Sequence, residues 1–485
     1  MPDLRHGLVS CKLWQLYSRH DAYDKIKKTL MMKPGNGKNR LARLPVRKFG
    51  LSFILLIFIF WCCAIPVKIQ AQNGPVFVII AYGFWGSMDR LPTSDPAWLA
   101  SSPYPHYRKH QDADFLTSDA YQPIPQKYLA TGEGPSIFKY FLCSYYLLEH
   151  EMAYWAQRVN RQYGGNQVKI FDDWQALQAQ IGGSGVAGND PRIGKMNIIY
   201  LKYDWRLDLP QIERDYVAPL VTFIDGFWPR SKIHFIGHSL GGLVGRYAVS
   251  RHPKRFDSLL SIGGPQYGIY EIALERRGER VAYNGDAKLE RSQELGLKVA
   301  ESFFFGTDVF KQHRSFPQAT ALFIQRYLPM MRWLDPEAGL LNDGFDNLPK
   351  LNEATAHPIA IYGLGYGSYD LSGVYHSEVP DGGNVGSGLA PGRDSPADYQ
   401  RSGDGRIDPL SAQGPFPKTL CLGKDQPHGS MMWSPLVLGM LIDRYFYGGT
   451  MSAAELWWEF RRLQVPSVLK KRYFRWIEQA RSAWD

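Results

Sequence analysis

Short apolar runs that stop at glycine or at polar turns recur along this chain: Val76–Ala81, Ile198–Lys202, Ile233–Gly237, Leu259–Ile262, Ile359–Gly363 and Thr419–Leu422. They are nearly continuous rather than alternating, as strands covered on both faces must be, and helical stretches separate them. One such stretch, Gly242–Arg251, is expected to end just ahead of Pro253, and a last helical region is expected from Ala453 to Trp484. The pattern predicts an α/β fold: a mostly parallel sheet with helices on both faces. Two intervals are too long for simple crossovers, and both read as excursions from one domain. Residues 86–195, rich in Pro, Tyr and Trp, are expected to form a cap; residues 271–357, punctuated by Pro317, Pro329 and Pro336, a helical lid.

At 45% hydrophobic and 21% charged residues, the 485-residue chain has a globular composition. Its net charge of +10 raises the possibility of nucleic acid as a partner. The location of the charge argues against it. Residues 1–71 carry 13 Lys+Arg against 3 Asp+Glu, and residues 72–485 hold 43 of each. Within the basic leader, Arg43, Arg47 and Lys48 precede an uncharged apolar run over about 51–67. A helix from Leu51 to Ile65 would reach about 22 Å, against a hydrocarbon core of about 30 Å. The run therefore reads as an export signal more than as an anchor, with Ile69-Gln70-Ala71 as a cleavage site and Met31 or Met32 as an alternative start. An extracytoplasmic location follows as an expectation, with 72–485 as the functional domain. Of five cysteines only Cys143 and Cys421 lie beyond the leader, both in apolar surroundings, so no disulfide framework is expected.

The stretch "FIGHSLGGLVGRY" (Phe235–Tyr247) carries the chemistry. A G-x-S-x-G pentad is weak evidence alone. Here a buried-strand run precedes it and a helical apolar spacing follows, so Gly237, Gly241 and Gly242 permit a tight strand-to-helix turn that lifts Ser239 above the sheet. The Leu240 N–H at the helix start then faces any oxyanion formed there. A second donor is expected from the end of the first strand, "PVFVIIAYGFWGS", where Gly83 lets the backbone approach and Phe84 supplies its N–H. A serine nucleophile needs a base and an orienting carboxylate. Among His252, His313, His357, His376 and His428, only His428 falls in the loop after the last short strand. Asp404, between glycines in "RSGDGRIDPLSA", is the expected acid, with Asp408 the nearest rival and Asp381 and Asp425 weaker ones. No metal-ligand cluster, P-loop or dinucleotide fingerprint stands out, so no cofactor is expected.

"YDWR" (Tyr203–Arg206) after a strand, "GHSLGG", "GGPQYG" (Gly263–Gly268) and "GDGRI" before His428 together resemble the lecithin:cholesterol acyltransferase-like branch of the α/β hydrolases. The resemblance spans about residues 75–445 in motif order. It implies an α/β-hydrolase fold, Ser239, Asp404 and His428 as a triad, Phe84 and Leu240 as oxyanion donors, and a lipid ester as substrate. Tyr82-Gly83 departs from the Pro-Gly or His-Gly common in relatives. Asp204 and Arg206 straddle Trp205 at a strand end, so both charges share a face and are expected to act as a structural clamp near the site. A carboxylesterase for small or glycosylphosphatidylinositol-like esters, and a catalytically silent lipid-binding scaffold, are the alternative readings. The apolar segments Glu301–Phe310 and Leu322–Leu334, with Phe304 and Trp333, and the tryptophans 457, 458 and 476 suggest a lid and C-terminal region that dock on a lipid surface.

Overall fold

The computed structural model describes residues 74–84, 136–182, 192–281, 309–339, 351, 357–376, 403–423, 428–460 and 470–484, apart from positions 314, 365 and 367. Seven strands form one sheet in the order β2-β3-β1-β4-β5-β6-β9. These are β1 (Val76–Ala81), β2 (Val168–Phe171), β3 (Met196–Leu201), β4 (Lys232–His238), β5 (Ser258–Ile262), β6 (His357–Gly363) and β9 (Lys418–Gly423). Every neighbouring pair is parallel. A small antiparallel hairpin, β7 (Ser368–Tyr369) with β8 (Tyr375–His376), stands apart.

Alternation along β1 explains the layers. Phe77, Ile79 and Ala81 enter one core with α3 (Ala218–Phe227) and α4 (Leu240–Arg251). Val78, Ile80 and Tyr82 enter the other with α1 (Ser136–Tyr163), α8 (Pro435–Leu441) and α10 (Lys470–Trp484). In α1 the residues Leu148, Met152, Trp155, Ala156 and Val159 recur at helical spacing as one buried stripe. Since β3 lies on one side of β1 and β4 on the other, the chain reverses its winding at β1, and a crevice opens outside the carboxyl ends of these strands. This is the α/β-hydrolase fold.

All six strands expected from the apolar runs are present. Of the interval expected as a cap, the described part forms α1, β2 and α2 (Trp174–Ile181), which are layers of the sheet itself and no cover over it. The lid expectation is corrected for its described residues. Phe323 and Ile324 on α6 (Phe316–Tyr327), which packs on α5 (Tyr270–Arg276), are buried together with Met330, Met331 and Trp333 in the core that holds α3 and α4. Trp333 is 9% exposed and packs edge-on against Tyr247, with ring centroids 5.8 Å apart. Trp457, on α9 (Ala453–Phe460), and Trp476 are likewise buried, and the Trp476 indole N–H donates to the Leu436 carbonyl at 2.8 Å. These side chains are core because their apolar area is already covered by the protein. Phe303, Phe304, Phe305 and the Trp458 side chain lie outside the described residues, as does the apolar run at 51–67. Among the described residues no helix is long and apolar enough to cross a membrane.

A core assignment has its own consequence. Trp333→Ser should cost about 3 kcal/mol or more of stability, lower the Tm, and reduce turnover of soluble short-chain and long-chain esters alike. Selective loss of long-chain turnover at an unchanged Tm would return Trp333 to a lipid-facing role.

Candidate active site

At the end of β4 the backbone turns sharply into α4, and Ser239 sits at the corner with φ 55° and ψ −126°. It is the one non-glycine residue with positive φ among those described. Such a conformation costs on the order of 1–3 kcal/mol and persists only where its surroundings enforce it. The Ser239 N–H donates to the Ile262 carbonyl at 2.9 Å, while the Ser239 carbonyl accepts from Gly242 at 2.9 Å. Close approach explains the flanking glycines: a Cβ on Gly237 would stand 2.1 Å from the Gly241 carbonyl oxygen, and one on Gly241 would stand 2.2 Å from that of Ala81.

His428 follows β9, and its Nε2 lies 2.9 Å from Ser239 Oγ. On the other side of the ring, Nδ1 lies 2.8 Å from Asp404 Oδ2. The second oxygen of Asp404 accepts from the backbone N–H groups of Arg406 at 3.0 Å and Ile407 at 2.8 Å. With both oxygens engaged, the carboxylate is fixed in position. The Asp404 carbonyl also accepts from His428 N–H at 2.9 Å, and Ser368 Oγ accepts from Gly403 N–H at 2.8 Å. All three side chains are buried, Asp404 most completely. An N–H at Nδ1 donating to Asp404 leaves the Nε2 lone pair for the serine hydroxyl, the tautomer that proton removal requires.

His238, next to Ser239 in sequence, was not singled out from the sequence. Its Nε2–H donates to the His428 carbonyl at 3.0 Å, and the two rings lie 5.0 Å apart. Burial, with a smaller contribution from His428, lowers its pKa to about 3, so it stays neutral beside the other imidazole. An unfolded chain takes up this proton near the ordinary histidine value of about 6.5. Stability is therefore held above that pH and lost as pH falls toward 3, by up to about 1.4 kcal/mol per pH unit. In urea titrations between pH 7 and pH 4, His238→Gln should show a shallower decline than the parent protein; parallel slopes would refute this assignment.

The rival groups have other tasks. Asp408 caps α7 (Pro409–Gln413), accepting from Ser411 N–H at 3.0 Å, and burial raises its pKa. His252 Nε2 lies 2.7 Å from Glu213 Oε1, and His376 Nε2 lies 2.8 Å from Asp370 Oδ2. His357 begins β6 exposed and His313 is half-buried; Asp381 and Asp425 lie outside the described residues. Asp204 and Arg206 form a fully buried bidentate pair, with Nε to Oδ1 at 2.7 Å and Nη2 to Oδ2 at 2.5 Å. Beside them the Tyr203 hydroxyl donates to the Tyr82 carbonyl, tying this loop to the exit of β1. Phe84 packs edge-on against Trp205, 5.1 Å between centroids. Leu240 opens α4, where an N–H has no carbonyl of its own helix to bond.

Gly263, inside the "GGPQYG" motif, is a site residue that sequence reading gave no specific task. At φ +57° it leaves room for the imidazole and carboxylate; a Cβ there would stand 3.1 Å from His428 Nδ1 and 3.3 Å from Asp404 Oδ2. Gly263→Ala, strained at this positive φ and crowding the imidazole by a few tenths of an ångström, should lower kcat by up to about 100-fold, the loss a full 1 Å misplacement brings, with a smaller effect on KM. Unchanged kcat would show that the pair yields without loss.

Residues 222–333 match the family model for palmitoyl protein thioesterase. No curated protein matches the chain. Solved structures similar to it include a Bacillus licheniformis lipase in mature form, at 14% identity and TM-score 0.29, covering 50% of this chain and 77% of that one. A Listeria innocua gene product is 9% identical with TM-score 0.30, covering 77% and 94%. EstA from Clostridium botulinum is 14% identical with TM-score 0.24, covering 41% and 60%.

Proposed function

We propose that this α/β-hydrolase-fold protein is a serine acyl hydrolase that acts on a lipid ester through an acyl-enzyme. The observation that carries the reading is the unbroken hydrogen-bonded line from Ser239 through His428 to Asp404, anchored at a strained turn. Ser239 Oγ attacks the acyl carbonyl carbon while His428 Nε2 takes the hydroxyl proton. Asp404 holds the ring and stabilises the imidazolium so formed. The oxyanion is received by the N–H groups of Leu240 and Phe84, with the positive end of α4 behind them. As the tetrahedral intermediate collapses, His428 gives its proton to the leaving group. Water or an alcohol, deprotonated by the same nitrogen, then releases the acyl group and frees Ser239. The acid, base and oxyanion donors of each step are protein side chains and backbone groups.

Transfer to an alcohol is the finer reading drawn from the acyltransferase-like motifs. A thioester substrate is a second reading, favoured by the match of the stretch containing Ser239 to a palmitoyl protein thioesterase model. The basic, apolar leader supports an exported protein that meets its substrate at a lipid surface. Incubation with mixed phospholipid vesicles, a sterol and a palmitoyl thioester, with mass spectrometry of every acylated product, tests these readings together. Free fatty acid from the vesicles supports the hydrolase and a sterol ester the transferase, whereas release from the thioester alone replaces the lipid-ester reading. No product from any substrate would leave the acyl-hydrolase proposal without support.

A further inference from the structure

On the sheet face opposite α4, a cavity of about 140 Å³ opens between the turn after α8 and the C-terminal helix α10. That is several times the volume one water needs. It shares no residue with the Ser239 site, and its walls include Asp443, Arg444, Gly448, Gly449, Arg481 and Trp484. The only carboxylate among these is already satisfied: Asp443 Oδ2 accepts from Arg481 Nε at 2.7 Å and Oδ1 from Arg481 Nη2 at 2.8 Å. The remaining donors are not. The half-buried Arg444 guanidinium lies over the Trp484 ring, 4.9 Å from its centroid, and has no hydrogen bond or ion pair to any described residue. The Trp484 indole N–H is buried without an acceptor, although the residue is only 5% exposed. A buried donor left unpaired forgoes the hydrogen bond it would make to water or to a ligand.

Among its described lining residues the cavity thus offers unpaired donors, no unpaired carboxylate, and one net positive charge from Asp443, Arg444 and Arg481. Gly448 and Gly449, at φ 60° and 77°, turn the chain there with no side chain, and a Cβ on either would meet nothing within 4 Å. The opening is therefore left clear. We propose that this cavity is a binding site for a small oxyanion, a carboxylate or phosphate group carrying one negative charge. Arg444, held over the Trp484 ring by a cation–π contact, has N–H donors for two oxygens of such a group, and that contact restrains the guanidinium before the ligand arrives.

Calorimetric titration of the full-length protein with inorganic phosphate, dimethyl phosphate and acetate, each against chloride at equal ionic strength, tests the site without relying on catalysis. One equivalent of at least one probe should bind. Arg444→Gln should weaken that binding by tenfold or more, and Trp484→Phe, which keeps the ring but removes its donor, by about fivefold. Arg475→Gln, an exposed arginine of the same helix, should leave it unchanged. Dimethyl phosphate binding as tightly as phosphate identifies a diester such as a lipid headgroup carries, phosphate alone identifies the free ion, and acetate identifies a carboxylate. Short-chain ester hydrolysis and the ligand-free Tm report whether each variant is folded; if Arg444→Gln does not fold, Trp484→Phe carries the test. The proposal is overturned if none of the three probes binds, or if a folded Arg444→Gln or Trp484→Phe binds as the parent does.

Discussion

Ser239→Ala should lower kcat toward a soluble ester by about 10⁶, because without the hydroxyl neither the acyl-enzyme nor the proton transfer to His428 exists. KM should change far less, since Ser239 contributes little surface to binding. The fold should not suffer. Ser239 holds a positive-φ corner, and alanine meets the same backbone restriction as serine, so the turn remains enforced by the Ile262 and Gly242 hydrogen bonds. A residual rate of roughly 10³–10⁴ over water is expected from the oxyanion donors and substrate positioning. Undiminished hydrolysis in this variant would remove the mechanism as a whole.

Asp404→Asn should cost about 10⁴ in kcat. An asparagine retains the shape but can turn its amide N–H toward Nδ1, which favours the tautomer with the proton on Nε2 and leaves no lone pair for the Ser239 hydroxyl. Its oxygen can still accept from Arg406 and Ile407, so the loop should keep its form. Asp408→Asn makes a sharp control four residues away. Asp408 caps α7 and has no contact with the imidazole in this structure, and asparagine caps nearly as well. Its kcat should stay within a few-fold of the parent. A reversed order of losses, with Asp408→Asn inactive and Asp404→Asn active, would show that Asp408 and not Asp404 is the acid.

How much of this was legible in the sequence depended on whether the cause was local. The six apolar strand runs were readable because a parallel strand buried on both faces has no polar alternation to confuse it with a loop. β2 was not read because it has only four residues, includes Lys169 and lies at the sheet edge. The stripe Leu148-Met152-Trp155-Val159 of α1 was present but sat within a Tyr- and Pro-rich interval that suggested an excursion. Ser239, Asp404 and His428 were legible because strand, glycine-bracketed loop and chain order constrain them. Gly263 and His238 were not, since one leaves room for groups about 140 and 165 residues later in the chain and the other bonds a carbonyl beyond the last strand. The apolar run around Trp333 showed the limit of composition: covered core and lipid-facing lid call for the same residues, and only the burial of Trp333 against Tyr247 of α4 separates them.

Labelling with a fluorophosphonate probe, followed by peptide mapping and measurement of residual ester hydrolysis on the same sample, tests the central claim most directly. The account predicts one equivalent of label, on Ser239, with activity lost in proportion to labelling, and none in Ser239→Ala. Label on another residue, or full activity in protein whose Ser239 is stoichiometrically modified, would contradict it.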